Sequence, residues 1–141
     1  DGAGEVAAVV AGVTQFAAGD RVVATFTQGN PPAALGYPLD GALAEYAVFP
    51  ADGLLRLPEH LSFEEAATLP CAGVTVWNAL MHGPRSLRPG ETVLALGTGG
   101  VSIFALQLAK ITGARAIITS SSDAKLDRAR ALCEESAVAN M

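Results

Sequence analysis

Between positions 91 and 119 the sequence runs ETVLALG, TGG, VSIFALQLAKIT and, after a further glycine, ARAIIT. No other stretch of the chain restricts the fold so tightly. Residues 92–96 form an apolar run of strand length, with nothing polar inside it after the threonine, and read as a short buried strand. Gly97, Gly99 and Gly100 then supply a backbone that turns sharply and carries no Cβ to obstruct a ligand. The apolar helix that follows presents its first N–H groups, and the positive end of its dipole, to that turn. Residues 114–119 give a second strand. Strand, helix and strand within about thirty residues make a βαβ unit, the context in which a glycine turn of this kind has meaning.

The usual guest of such a turn is a pyrophosphate. Against the dinucleotide fingerprint G-x-G-x-x-G the chain reads G-T-G-G-V-S, with Gly97 and Gly99 in place and Ser102 at the third glycine position. That third position serves close helix–strand packing, and serine is small enough to substitute. Gly97, Thr98, Gly99, Gly100 and Val101 are therefore the candidate cofactor cradle. The same residues also suit a βα turn that binds nothing. The alternative phosphate loop, G-x-x-x-x-G-K-[ST], is absent from the sequence, which argues against nucleoside triphosphate hydrolysis.

The end of the second strand should choose between cofactors. An acidic residue there would hold the ribose 2′-hydroxyl of NAD. The chain instead has Thr119, Ser120, Ser121 and Ser122, and its first acid is Asp123. Hydroxyls do not repel a 2′-phosphate, and Lys125 or Arg128 would neutralise one. The expectation is NADP(H) in preference to NAD(H), with Ser120, Ser121 and Lys125 at the 2′-phosphate. The serines also suit a helix start with Ser122 as N-cap, and the two readings are compatible.

Bulk properties narrow the class further. Half of the 141 residues are apolar and 16% are charged, enough for a core and little case for disorder. A net charge of -5 without a Lys/Arg cluster argues against nucleic-acid binding. No apolar stretch approaches membrane-spanning length, so no membrane partner is expected, and a cytoplasmic protein is the default. Cys71 and Cys133 stand apart without a C-x-x-C pairing, and His60 and His82 are too distant from them in sequence to suggest a metal cluster.

Before Pro58 the chain reads as β-rich. Residues 5–13 and 20–27 are strand candidates, 28–41 is a Gly/Pro-rich loop, 43–50 alternates as a strand would, and 53–57 is a last short strand. Ser62-Phe63-Glu64-Glu65 then forms a capping box, with Leu61 and Ala66 placed as its hydrophobic staple. The helix should kink or restart near Pro70 and run to about Met81. Residues 123–132 make an amphipathic helix with Leu126, Ala129 and Leu132 on one face. Two modules follow, with the join near residue 58: residues 1–58, partly a barrel or sandwich, and residues 59–141, of α/β class.

The succession GAGEV, AGDRVV, DGALAEY, LPEHLSFEEAATLPCAGVTVWNAL and LRPGETVLALGTGGVSIFALQLAK resembles the medium-chain dehydrogenase/reductase superfamily. It is most similar to the zinc-independent branch of alcohol-dehydrogenase-like and quinone-oxidoreductase-like proteins. The resemblance runs from Asp1 to about Leu132. It implies a partial GroES-like β-barrel (1–58) followed by the N-terminal part of a Rossmann doubly wound domain (59–141), α/β overall, with the active site between the two. It implies hydride transfer between a nicotinamide cofactor and a carbonyl, quinone or enone, or in reverse from an alcohol. Family members are often homo-oligomeric. Thr75 lies in the helix whose counterpart borders the nicotinamide, although a plain helix hydroxyl bonded to its own backbone is an equal reading. Tyr46 and Trp77 read as packing residues, and no side chain stands out as acid or base.

The resemblance also bears on zinc. Asp1 matches the Glu of a G-H-E motif in zinc-dependent relatives, and Cys71, in LPCAG, matches a cysteine that ligates catalytic zinc there. The loop 28–41 lacks the cysteines of a structural zinc site. Cys71 alone cannot assemble a three-ligand centre, and it reads as a small buried residue in a helix, so no zinc is expected. Relatives carry more barrel before Asp1 and further strands beyond Leu132. The expectation is an NADP-dependent oxidoreductase present as a fragment whose sheet has two strands of the usual six; the alternative is a truncated, non-catalytic fragment that at most binds the dinucleotide. A fragment of a zinc-dependent alcohol dehydrogenase is the further alternative.

Overall fold

The computed structural model describes residues 1–132 and the strand Ala137–Asn140. Cys133 lies outside the described residues. The chain divides into two compact units, Asp1–Cys71 and Ala72–Met141.

The first unit holds six short strands: β1 (Ala3–Glu5), β2 (Arg21–Ala24), β3 (Thr27–Gln28), β4 (Ala33–Leu35), β5 (Pro38–Leu39) and β6 (Leu54–Arg56). β1, β2 and β6 form an antiparallel sheet in that order, in which Val23 lies opposite both Ala3 and Leu55. β3, β4 and β5 form a second small sheet. Helix α1 (Phe63–Ala67) starts on the expected capping box. The Glu65 N–H donates to Ser62 Oγ at 3.1 Å, and the Ser62 N–H donates to Glu65 Oε2 at 2.8 Å. Ala66 of α1 packs with Val23 and Leu57 as a small core. Arg21 holds the approach to this helix, donating to Leu61 O at 2.6 Å while its guanidinium covers the Phe63 ring at 4.7 Å.

Four expectations for this unit are corrected. The run 5–13 is not a strand beyond Glu5, and the run 43–50 forms no strand; Leu43, Tyr46 and Val48 stand exposed. Strand pattern is necessary but not sufficient, because a strand also needs a continuous ladder of hydrogen bonds to a neighbour. In the first run that bonding ends at Val6, which donates to Asp20 O and accepts the Gly19 N–H, both at 2.9 Å, and the second run joins none of the described sheets. Tyr46, expected to pack, is 81% exposed for the same reason. Conversely, the Gly/Pro-rich loop 28–41 contains β4 and β5, because Gly36, at φ +93°, turns the chain so that two-residue ladders can form.

The π-helical turn Leu69–Gly73 stands where Pro70 was expected to kink the helix. Proline lacks the N–H that an α-helical turn would use, and a widened turn absorbs the defect. Cys71 sits in this turn and is half-buried rather than fully buried.

The second unit contains α2 (Val74–Met81), β7 (Thr92–Ala95), α3 (Gly100–Thr112), β8 (Arg115–Ser120), α4 (Asp123–Leu132) and β9 (Ala137–Asn140). Its sheet is parallel, in the order β7-β8-β9. The sheet therefore has three strands, not the two expected. The βαβ pattern is realised twice, with α3 packed on β7 and β8 and α4 on β8 and β9. Leu106 and Ala109 of α3, Ile118 of β8, and Leu126 and Ala129 of α4 make a tight core that also takes in Val76 of α2. Gly113, at φ +71°, ends α3 in the left-handed cap conformation. β7 is not buried on both faces: Ala95 faces the core, but Leu94 and Leu96 are 60% and 70% exposed. Period-two alternation sends these two leucines to the face opposite α3.

Candidate functional site

The glycine turn is built where β7 runs out. Gly97 adopts φ +85°, a conformation that costs a residue with a Cβ and that glycine takes freely. Gly99 is the N-cap of α3 at φ -80° and ψ 176°, ordinary extended backbone that any residue accepts. Its lack of a side chain therefore answers to something other than backbone geometry. A Cβ added at Gly97 or Gly99 would meet nothing within 4 Å, so both face open space. A Cβ at Gly100 would only touch Ala72, at 3.6 Å.

Helical bonding in α3 starts with the Ile103 N–H, which donates to Gly99 O at 3.0 Å. The N–H groups of Gly100, Val101 and Ser102 come before that bond and have no partner inside the helix. Open backbone at Gly97 and Gly99 beside free first-turn donors fits a diphosphate, which needs close backbone approach and N–H groups at a helix N-terminus.

Hydroxyl groups brace the turn. Ser102 Oγ donates to Leu96 O at 3.2 Å, and the Gly97 N–H donates to Thr119 Oγ1, also at 3.2 Å. The serine at the third glycine position is thus more than a small residue. Thr119, 6% exposed at the end of β8, was read from sequence only as one of four hydroxyls and not as part of the turn. A signal for it exists. Parallel pairing sets Ala95 beside Ile118, so one further step places Thr119 next to Leu96.

The residues expected to select the cofactor separate. Ser120 is buried, and its Oγ accepts the Ser122 N–H at 3.2 Å. Its hydroxyl is committed to the turn that leads into α4. Ser121 and Lys125 are exposed. The carbonyl of Ser122 accepts the Lys125 and Leu126 N–H groups, which marks Ser122 as the start of α4. Thr75 is exposed on α2, a helix that packs against α3. Trp77 is half-exposed with the His82 ring 6.4 Å away, and His60 is exposed. Among the described residues no three His, Cys, Asp or Glu side chains converge, and no helix is long and apolar enough to cross a membrane.

A parallel sheet with a glycine turn opening a helix, in a chain that begins with two small sheets, one antiparallel and one mixed, makes an α/β protein whose second part is the start of a doubly wound domain. Residues 1–59 match the alcohol dehydrogenase GroES-like domain family. A zinc-type alcohol dehydrogenase-like protein of Schizosaccharomyces pombe is 49% identical over 142 residues, a match covering 94% of this chain and 41% of that protein. A quinone oxidoreductase of Pseudomonas aeruginosa is 40% identical, with 92% of this chain and 37% of that protein covered. Among solved structures, an NAD-dependent alcohol dehydrogenase superposes with a TM-score of 0.89 at 38% identity, over 99% of this chain and 45% of that one. The chain belongs to the medium-chain dehydrogenase/reductase superfamily, a family of oxidoreductases. It spans about two fifths of the length of the curated relatives named here.

Proposed function

We propose that the chain carries the dinucleotide-binding turn and part of the catalytic domain of a nicotinamide-dependent oxidoreductase acting on a small carbonyl, quinone, enone or alcohol. The observation that carries this reading is the open turn at Gly97 and Gly99 beside the unbonded first-turn donors of α3. In this reading residues 1–58 belong to the catalytic domain and residues 59–141 to the cofactor domain. Gly97, Thr98 and Gly99 let the pyrophosphate approach, and the N–H groups of Gly100 and Val101 donate to it. Thr75 borders the nicotinamide. Bound there, the dinucleotide would supply the hydride that passes to or from the substrate. The chain's own residues bind and orient, which is the part of the chemistry a protein contributes.

NADP(H) is the preferred cofactor in this proposal. No carboxylate stands at positions 119–122 to repel a 2′-phosphate, and Lys125 lies exposed one turn into α4. Because Ser120 is turned inward, Ser121 and Lys125 carry that preference. NAD(H) is the second reading, favoured by the solved NAD-dependent alcohol dehydrogenase at 38% identity. The proposal includes no zinc, because Cys71 alone does not assemble a three-ligand centre; a fragment of a zinc-dependent alcohol dehydrogenase is the alternative, favoured by the zinc-type relative at 49% identity. For the chain taken alone, binding without turnover is the expected behaviour.

Calorimetric titration with NADPH and NADH tests this. NADPH should bind more tightly, and Ser121→Asp should move the ratio toward NADH by roughly tenfold through repulsion of the 2′-phosphate. Tighter NADH binding by the native chain overturns the preference. No binding of either at millimolar concentration overturns the site.

A further inference from the structure

The two hydroxyl contacts at the glycine turn converge on one chemical group. Leu96 C=O and Gly97 N–H are the two poles of a single peptide unit. Ser102 Oγ, from the first turn of α3, donates to one pole at 3.2 Å. Thr119 Oγ1, from the end of β8, accepts from the other at 3.2 Å. That peptide immediately precedes the left-handed Gly97, so its plane sets the direction in which the turn leaves β7. Neither pole is held by the sheet: β7 ends at Ala95, and its ladder with β8 stops at the Ala95–Ile118 pair.

We infer that Ser102 and Thr119 are positioning residues for cofactor binding, a hydroxyl clamp that fixes the Leu96–Gly97 peptide and thereby aims the Gly97–Gly99 backbone at the pyrophosphate. The inference rests on the proposed dinucleotide site. It assigns to position 102 a donor role that a glycine there could not fill, and to Thr119 an acceptor role directed at the turn. A bare loop with glycines at 97, 99 and 100 has wide backbone freedom to lose on binding. A peptide fixed in advance at both poles lowers that cost, which is preorganisation in the usual sense.

Ser102→Ala gives the sharpest test. Alanine is as small as serine and is the better helix former, so a residue needed only for packing would tolerate it without loss of stability. The clamp requires instead that NADPH affinity of the 141-residue chain fall by roughly three- to tenfold, the worth of a hydrogen bond, while the melting temperature holds or rises. Thr119→Val keeps the shape of a buried residue and removes the acceptor, so affinity should fall by a similar factor. Thr119→Ser, which keeps Oγ1, should restore it. Unchanged NADPH affinity in both Ser102→Ala and Thr119→Val overturns the clamp. If the native chain binds neither NADPH nor NADH, the proposed function fails by itself, and the clamp is then decided by amide hydrogen exchange. Exchange at the Gly97 N–H should quicken in Thr119→Val and return in Thr119→Ser; equal rates in all three overturn it.

Discussion

Gln28 shows how much a single side chain can settle. It is 4% exposed, and its Nε2 donates to Thr25 O at 2.6 Å and to Gly53 O at 2.9 Å, tying β3 to the turn before β6. A Cβ at Gly53 would overlap Gln28 Oε1, so it is the neighbouring side chain, and not the local backbone, that favours glycine here. Gly53→Ala must expel the Gln28 amide and break its bonds, costing about 1–3 kcal/mol. In a Gln28→Ala background the same change should cost little, and urea denaturation of the four variants in a cycle will show that non-additivity. Neither fact is legible in the sequence, where Gly53 is one glycine before a short strand. Gly97 is the opposite case. Its need for a left-handed turn could be read from its place between an apolar run and a helix. Thr119 and Ser120 fall between the two. Their residue types announced a polar strand end, but which hydroxyl faces the turn and which faces α4 follows from how β8 pairs with β7.

The elements that were legible are those made by near neighbours. The capping box needs only Ser62 and Glu65, three apart, and both of its bonds form. Ser62→Ala should therefore destabilise α1 by about 1 kcal/mol, read as a lower denaturation midpoint in urea. Ser62→Asp should keep most of that loss from appearing, since aspartate also caps. The βαβ succession at 92–120 was legible for a related reason, because a helix between two apolar runs with glycine punctuation allows few other arrangements. The misread elements are strands whose membership turns on pairing rather than on composition. Runs 5–13 and 43–50 have strand composition, yet Val10 is 75% exposed and Val48 fully so. Composition says that a segment would suit a sheet; pairing decides whether it joins one.

Acid sensitivity belongs to the molecule as a whole, because both compact units hold carboxylates below their ordinary range: Asp20 and Glu64 in the first, Glu91 in the second. In the first, Asp20 is lowered chiefly by its hydrogen bond with Arg56, at 2.6 Å, and by the Ala17 N–H at 2.8 Å. In the second, Glu91 is lowered first by the Arg88 N–H at 2.9 Å and then by the Arg85 guanidinium. For both groups the folded state binds the proton less readily than the unfolded chain. Their contribution to stability is complete above the ordinary carboxylate range and disappears as pH falls through the depressed folded values. Melting temperature should therefore drop on acidification through that range. Asp20→Asn and Glu91→Gln should each flatten part of the dependence, modestly, because both carboxylates are partly exposed and screened.

From sequence came the modular order, the capping box and the glycine turn. These depend on residues within a few positions of one another, whose geometry the chain's covalent structure already limits. Strand membership, the demand of Gln28 on Gly53, the inward turn of Ser120 and the joining of Ser102 and Thr119 on one peptide came from the folded molecule. Each depends on how sheet pairing and packing place the groups, and local propensity carries no information about which partner a hydrogen bond will find.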